Sequence, residues 1–182
     1  SFNESRVEDI KGIEDAIAEA NPDWSVRRAF TAQIIINHVQ DGLSLAQKYS
    51  IPKDITDFII THHGAGVTKY FYIKYRNEHP EEEVDKASFQ YPGPNPFLKE
   101  HAIVMMADSV EAASRSLPEY TEETIGNLVD KIIDGQMNDG YFKECPITFK
   151  DIAVAKEVFK EKLKIVYHTR ISYPELNKDN EK

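Results

Sequence analysis

Apolar residues in this chain recur every three or four positions and hardly ever every second one. From Thr121 onward, Ile125, Leu128, Val129, Ile132 and Ile133 fall on one face of a helical period, whereas a strand would scatter them over both sides of a sheet. The spacing returns in Val7, Ile10, Ile13 and Ile17, in Phe30, Ile34 and the run Ile35 to Val39, and in Ile55, Phe58 and Ile59. It appears again in Ile103, Met106, Val110 and Ala113, and in Ile152, Ala155, Phe159, Leu163 and Val166. No segment keeps a convincing strand alternation and no repeat is present, so the expected fold class is all-α.

Helix breakers and caps divide these stripes. A first amphipathic helix over about residues 6–20 is stopped by Asn21-Pro22. Asp23 or Ser25 caps a second, expected to break or bend near Gly42 and to end by Ser50. Pro52 fits the first turn of a third, with Ile55, Phe58, Ile59 and His62 on one face and Gly64 as its C-terminal cap. Thr68 to Arg76 is aromatic-rich and fits helix or strand, and Asn77 to Pro96, with Glu81-Glu82-Glu83 and Tyr91-Pro92-Gly93-Pro94-Asn95-Pro96, reads as a loop. Helices follow from Phe97 to Leu117, from Thr121, and from Thr148, whose partner three residues on is Asp151.

The 182 residues, 41% of them hydrophobic, suffice for one domain with a real core. A net charge of −9 argues against a general phosphate-backbone binder, so DNA and RNA are not expected partners. No apolar run reaches the roughly 20 residues that span a bilayer, and Ser1 to Arg6 carries no signal-peptide core, so the chain reads as soluble. The lone Cys145 permits no internal disulfide, which favours the cytosol.

Three histidines stand out chemically. His38 sits in the apolar stripe of the second helix, His62 and His63 close the third, and Asp108 lies within a later one. Imidazole and carboxylate together suit zinc, iron, manganese and similar divalent ions, and adjacent helical histidines point about 100° apart, so each could reach a different ion of a two-metal site. Against this stands a plainer reading, in which histidines at a helix C-terminus are favoured by the dipole alone and His38 is a satisfied core residue. His79 reads as a solvated loop residue, His101 as part of an exposed helical turn, and Cys145, lacking a base partner, as inert.

The motifs His38-Val39-Gln40-Asp41-Gly42, His62-His63-Gly64, Tyr91-Pro92-Gly93-Pro94 and Met106-Ala107-Asp108-Ser109-Val110-Glu111-Ala112-Ala113-Ser114-Arg115-Ser116-Leu117 occur in that order. Together with Tyr167 to Pro174, they closely resemble the cytosolic HD domain of the seven-transmembrane HD proteins, the PgpH-type phosphodiesterases of cyclic di-AMP. The resemblance covers about Asn21 to Pro174 and implies an HD-domain helical bundle over residues 1–176, followed by a charged tail over 177–182. It further implies two divalent transition-metal ions, iron or manganese, and hydrolysis of cyclic di-AMP to pApA by metal-activated hydroxide. His38, His62, His63 and Asp108 would be the metal ligands. Residue type adds Lys99, Arg115 and Arg170 as phosphate contacts and Tyr91 as a surface for a base. The parent would be a bacterial inner-membrane protein with this domain in the cytosol, and a homodimer is one expected state.

One part of the family pattern is missing. It begins with an isolated histidine and a His-Asp dipeptide upstream of the position of His38, yet no His-Asp pair occurs in this sequence and no histidine precedes His38. The expectation is a fragment of a longer chain, its bundle incomplete at the N-terminus. The alternative is a degenerate, non-catalytic module that binds a cyclic dinucleotide or a partner domain.

Overall fold

The structure, a computed structural model, describes residues 24–81 and 83–168. The helix expected over residues 6–20 and the site candidate Arg170 lie outside the described residues. Two compact units are present, Ser1–Asn95 and Pro96–Lys182. Among the described residues there are six α-helices and no strand, only an isolated bridge between Val67 and Gln90, and the all-α class holds.

In the first unit α1 (Trp24–Lys48) packs against α2 (Lys53–Thr61), against α3 (Lys69–Glu78) and against a short 3-10 turn, Lys86–Phe89. The chain leaves α1 through Ser50, whose φ of 53° is left-handed. The Ser50 N–H donates to Gln47 O at 3.1 Å and the Ile51 N–H to Ala46 O at 2.8 Å, so the last carbonyls of the helix are satisfied before Pro52 redirects the chain. The expected break at Gly42 does not occur, and α1 runs through it unbroken. Gly42 serves proximity instead, since a Cβ there would come within 3.1 Å of Ile59 Cγ2 on α2.

The segment that fitted helix or strand is helix α3, which half-buries Phe71, Tyr72 and Tyr75 and leaves Tyr70 and Ile73 exposed. His79, expected in a solvated loop, ends this helix half-buried, with its ring stacked on Tyr75 at 4.5 Å. Among the described residues, a small apolar nucleus in this unit is formed by Ile36, Val39 and Tyr91, with Ile35 beside them.

The second unit is a three-helix arrangement of α4 (Lys99–Ser114), α5 (Glu122–Asn138) and α6 (Phe149–His168), each in contact with the other two. Its core takes Ala102, Met105, Met106 and Val110 from α4, Ile125, Val129 and Ile133 from α5, and Ile152, Ala155 and Leu163 from α6. Met106, Val110, Ile125, Val129, Ile133, Ile152, Ala155 and Leu163 belong to the expected stripes, whereas Ala102 and Met105 are additions and Ile103 and Ala113 are only half-buried. Both expected caps form. Thr121 and Thr124 exchange bonds across the first turn of α5, while the Asp151 N–H donates to Thr148 Oγ1 at 3.1 Å and the Thr148 N–H to Asp151 Oδ2 at 2.9 Å.

Two expectations for this unit are corrected. Val166 is exposed, because the stripe continues from Leu163 to Tyr167, which packs against the core, and turns position 166 outward. His101, read as exposed from its neighbours Lys99 and Glu100, is 1% exposed and meets Phe97 edge-on at 4.5 Å. Position 101 is one turn before Met105 and adjoins Ala102, so helical phase carries it inward while its charged neighbours point out.

Candidate metal centre

His38 and His62 are oriented by the same local device. Each ring turns back along its helix so that Nδ1 meets a carbonyl three residues earlier, Ile35 O for His38 and Ile59 O, at 2.7 Å, for His62. A carbonyl oxygen only accepts, so Nδ1 must carry the proton in both rings. Neutral imidazole has one N–H, so in the neutral form of each ring Nε2 is left as a lone pair. Those two Nε2 atoms face one another at 3.1 Å. Two lone pairs at that distance repel unless a positive centre lies between or beside them.

His63 completes the group. Just past the end of α2 its ring centroid lies 4.1 Å from that of His62 and 5.0 Å from that of His38, and ligand atoms of the three all fall within 4.8 Å of one another. Within a continuous helix adjacent side chains would diverge. Here α2 ends at Thr61 and Gly64 turns left-handed at φ 54°, so the rings of His62 and His63 tilt together instead. All three rings are half-buried. Burial first, then the neighbouring His62 and His38, pushes the pKa of His63 down to about 3. It is neutral at physiological pH, which is the ligating form.

The donor set fits a divalent metal ion. Two nitrogens 3.1 Å apart are spaced as two bonds of about 2.1 Å meeting at about 95° would place them, and the Nδ1–carbonyl bonds are the outer-shell contacts that fix ligand histidines. Asp108, the fourth expected ligand, lies on α4 in the second unit and is exposed there.

The other candidates are distributed as follows. Tyr91 is buried and stacks on His63, with centroids 4.2 Å apart and planes 20° from parallel. Lys99 pairs with Asp151 at 2.7 Å, which with the Thr148 bonds holds the Asp151 carboxyl well below the usual carboxylate range. Arg115 makes a two-oxygen contact with Glu111 one turn back. Cys145 is buried, and burial raises its thiol pKa, in keeping with an inert residue.

Sequence reading identified the loop from Tyr91 to Pro96 but missed its bonds to the turn at His62-His63. Ala65 N–H donates to Asn95 Oδ1 at 2.8 Å, Gln90 Nε2 to Ala65 O at 2.8 Å, and Tyr91 N–H to Gly66 O at 2.8 Å. The available signal was the density of turn formers in Tyr91-Pro92-Gly93-Pro94-Asn95-Pro96, a loop too constrained to be a mere connector.

No protein-family model matches the chain. It is 38% identical over 166 residues, 91% of its length, to the cyclic-di-AMP phosphodiesterase PgpH of Bacillus subtilis (strain 168). It is 36% identical over 163 residues, 90% of its length, to the PgpH of Listeria monocytogenes serotype 1/2a (strain 10403S). The chain spans only 23% and 22% of the lengths of these curated relatives. Among solved structures it resembles the L. monocytogenes phosphodiesterase PgpH HD domain in complex with cyclic-di-AMP, with a TM-score of 0.73 and 38% identity over 80% of this chain and 68% of that one. A second crystal structure of that HD domain gives 0.71 and 36% over 78% and 65%. Identity of this order, sustained across most of a solved domain of the same all-α fold, places the chain in the family of PgpH HD domains.

Proposed function

We propose that the chain is the larger part of a metal-dependent phosphodiesterase domain that hydrolyses cyclic di-AMP to pApA. In this reading residues 1–176 belong to the HD domain and 177–182 form a charged tail. His38, His62, His63 and Asp108 hold divalent cations, two in the complete site, with iron or manganese preferred. The single observation that carries the reading is the approach of two Nε2 atoms to 3.1 Å beside a third, neutral imidazole. Cations bound there would supply Lewis acidity toward a phosphoryl oxygen and a water acidic enough to attack phosphorus.

The chain's own residues divide the remaining work. Burial keeps His63 deprotonated, and the carbonyls of Ile35 and Ile59 keep Nε2 of His38 and His62 aimed at the cations. Lys99 and Arg115 can exchange their carboxylates for substrate phosphates at small cost, because exposed ion pairs contribute little. Arg170 is a third phosphate contact in this reading. The HD domain with cyclic-di-AMP bound supports the substrate class, and the 22–23% coverage of the relatives supports a domain of a larger protein. We place that protein in a bacterial inner membrane, with this domain on the cytosolic side. Among the described residues no helix is long and apolar enough to cross a membrane. The exposed apolar residues Leu45, Tyr49, Ile51 and Ile55 give a homodimer one face to use.

The test uses the full-length protein that carries this sequence, supplied with Mn2+ and cyclic di-AMP, with pApA quantified by chromatography. His62→Ala is expected to abolish turnover, and an unchanged rate would overturn the ligand assignment. A second reading is a module that binds a cyclic dinucleotide or a partner domain without turnover. Calorimetry showing tight cyclic di-AMP binding with no pApA formed would select it.

A further inference from the structure

We infer that Tyr91 and Asn95 are positioning residues that preorganise His63 for cation binding. The inference rests on the reading of His38, His62 and His63 as ligands and asks what holds the third in place.

His63 is unlike its two companions. His38 and His62 are each tied to a carbonyl of their own helix, so secondary structure alone orients them. His63 lies beyond the end of α2. A ring from distant sequence packs on it. The Tyr91 ring lies nearly parallel to His63 at 4.2 Å, and the same phenol meets His38 edge-on at 6.0 Å, so it forms a wall along two of the three imidazoles. Parallel aromatic faces restrict both tilt and lateral slip of the imidazole plane.

The wall is itself anchored. Tyr91 N–H donates to Gly66 O at 2.8 Å, Gly66 N–H donates to His63 O at 3.0 Å, and Asn95 Oδ1 accepts from Ala65 N–H at 2.8 Å. Residues 63–66 and 90–95 are thereby clasped at both ends. Gln90 adds the bond from its side chain to Ala65 O. Because Tyr91 is 9% exposed and its ring is already engaged with His63, its contribution to a substrate complex passes through the imidazole.

The test is a Co2+ titration of the full chain, followed by the d–d absorption of the bound ion and by the ring 15N shifts of the three histidines. Tyr91→Phe keeps the stacked ring and is expected to bind Co2+ within about twofold of the parent. Tyr91→Leu and Asn95→Ala should weaken binding by about tenfold or more, the scale of lost outer-shell support, and broaden the His63 resonance. Asn95→Asp restores an acceptor for Ala65 N–H and should recover most of the loss, a rescue that damage to the fold would not show. Tyr91→Leu and Asn95→Ala binding as well as the parent, while His63→Ala binds poorly, would overturn the inference and leave the metal site intact. Absence of Co2+ binding by the parent chain would instead overturn the site reading, and this inference with it.

Discussion

The two units use their interiors for opposite purposes. The second buries twelve residues in one apolar cluster, ten from its three helices and Phe142 and Cys145 from the connection between α5 and α6. The first has an apolar nucleus of three buried residues, one of them Tyr91, and devotes the adjoining space to three half-buried imidazoles. Desolvating polar rings returns little of the transfer free energy that apolar burial does. The second unit is therefore stabilised by packing, while the described part of the first is organised around three imidazoles. Stability and ligand chemistry are distributed between units in a way that substitutions can separate.

The largest effect should come from the packed unit. Ile125→Ala, at a fully buried position, is expected to cost about 3 kcal/mol in denaturant unfolding, and the loss should be the same with or without a divalent cation. The next largest comes from the histidine cluster. Cation at a hundredfold excess over its Kd should stabilise the parent by about 2.7 kcal/mol, and His38→Ala should abolish that gain while changing the metal-free stability little. If His38→Ala cost as much without metal as Ile125→Ala does, the contrast between the units would fail.

A smaller effect follows from pH. The folded pKa of His63, about 3, lies below its ordinary 6.5, so the unfolded chain binds the proton more readily. Its contribution to stability is full above pH 6.5 and is lost as pH falls from 6.5 toward 3. Hydrogen exchange between those limits should show amides of α2 losing protection before those of α5, and His63→Ala should remove that difference. The smallest effect tests the caps of the packed unit. Thr121→Ala should cost about 1 kcal/mol by removing the acceptor for Thr124 N–H at the start of α5, and it should leave cation binding untouched.

The same contrast explains what the sequence made legible. The stripes of α4, α5 and α6 and the caps at Thr121 and Thr148 could be read because their causes are local, lying within four residues of their effects. His101 was misread because its neighbours are charged, while helical phase, a longer-range property, buries it. Gly42 looked like a break because its reason, the approach of Ile59, comes from another helix. His38, His62 and His63 were legible as a set through resemblance. The stacking of Tyr91 on His63 was not, because a loop 28 residues away supplies it.

Gly42 bears on the histidines in a further way. It lies one turn after His38 on α1, and the Ile59 it admits lies one turn before His62 on α2. The missing side chain is thus a spacer, and the clearance between those helices sets the gap between the two facing nitrogens. A single methyl at position 42 would wedge the helices apart by a few tenths of an ångström and lengthen the span a cation must bridge. On the reading proposed for His38, His62 and His63, that would shift the preference toward ions of larger radius, with the calibre of the centre gauged by a residue that lies outside it.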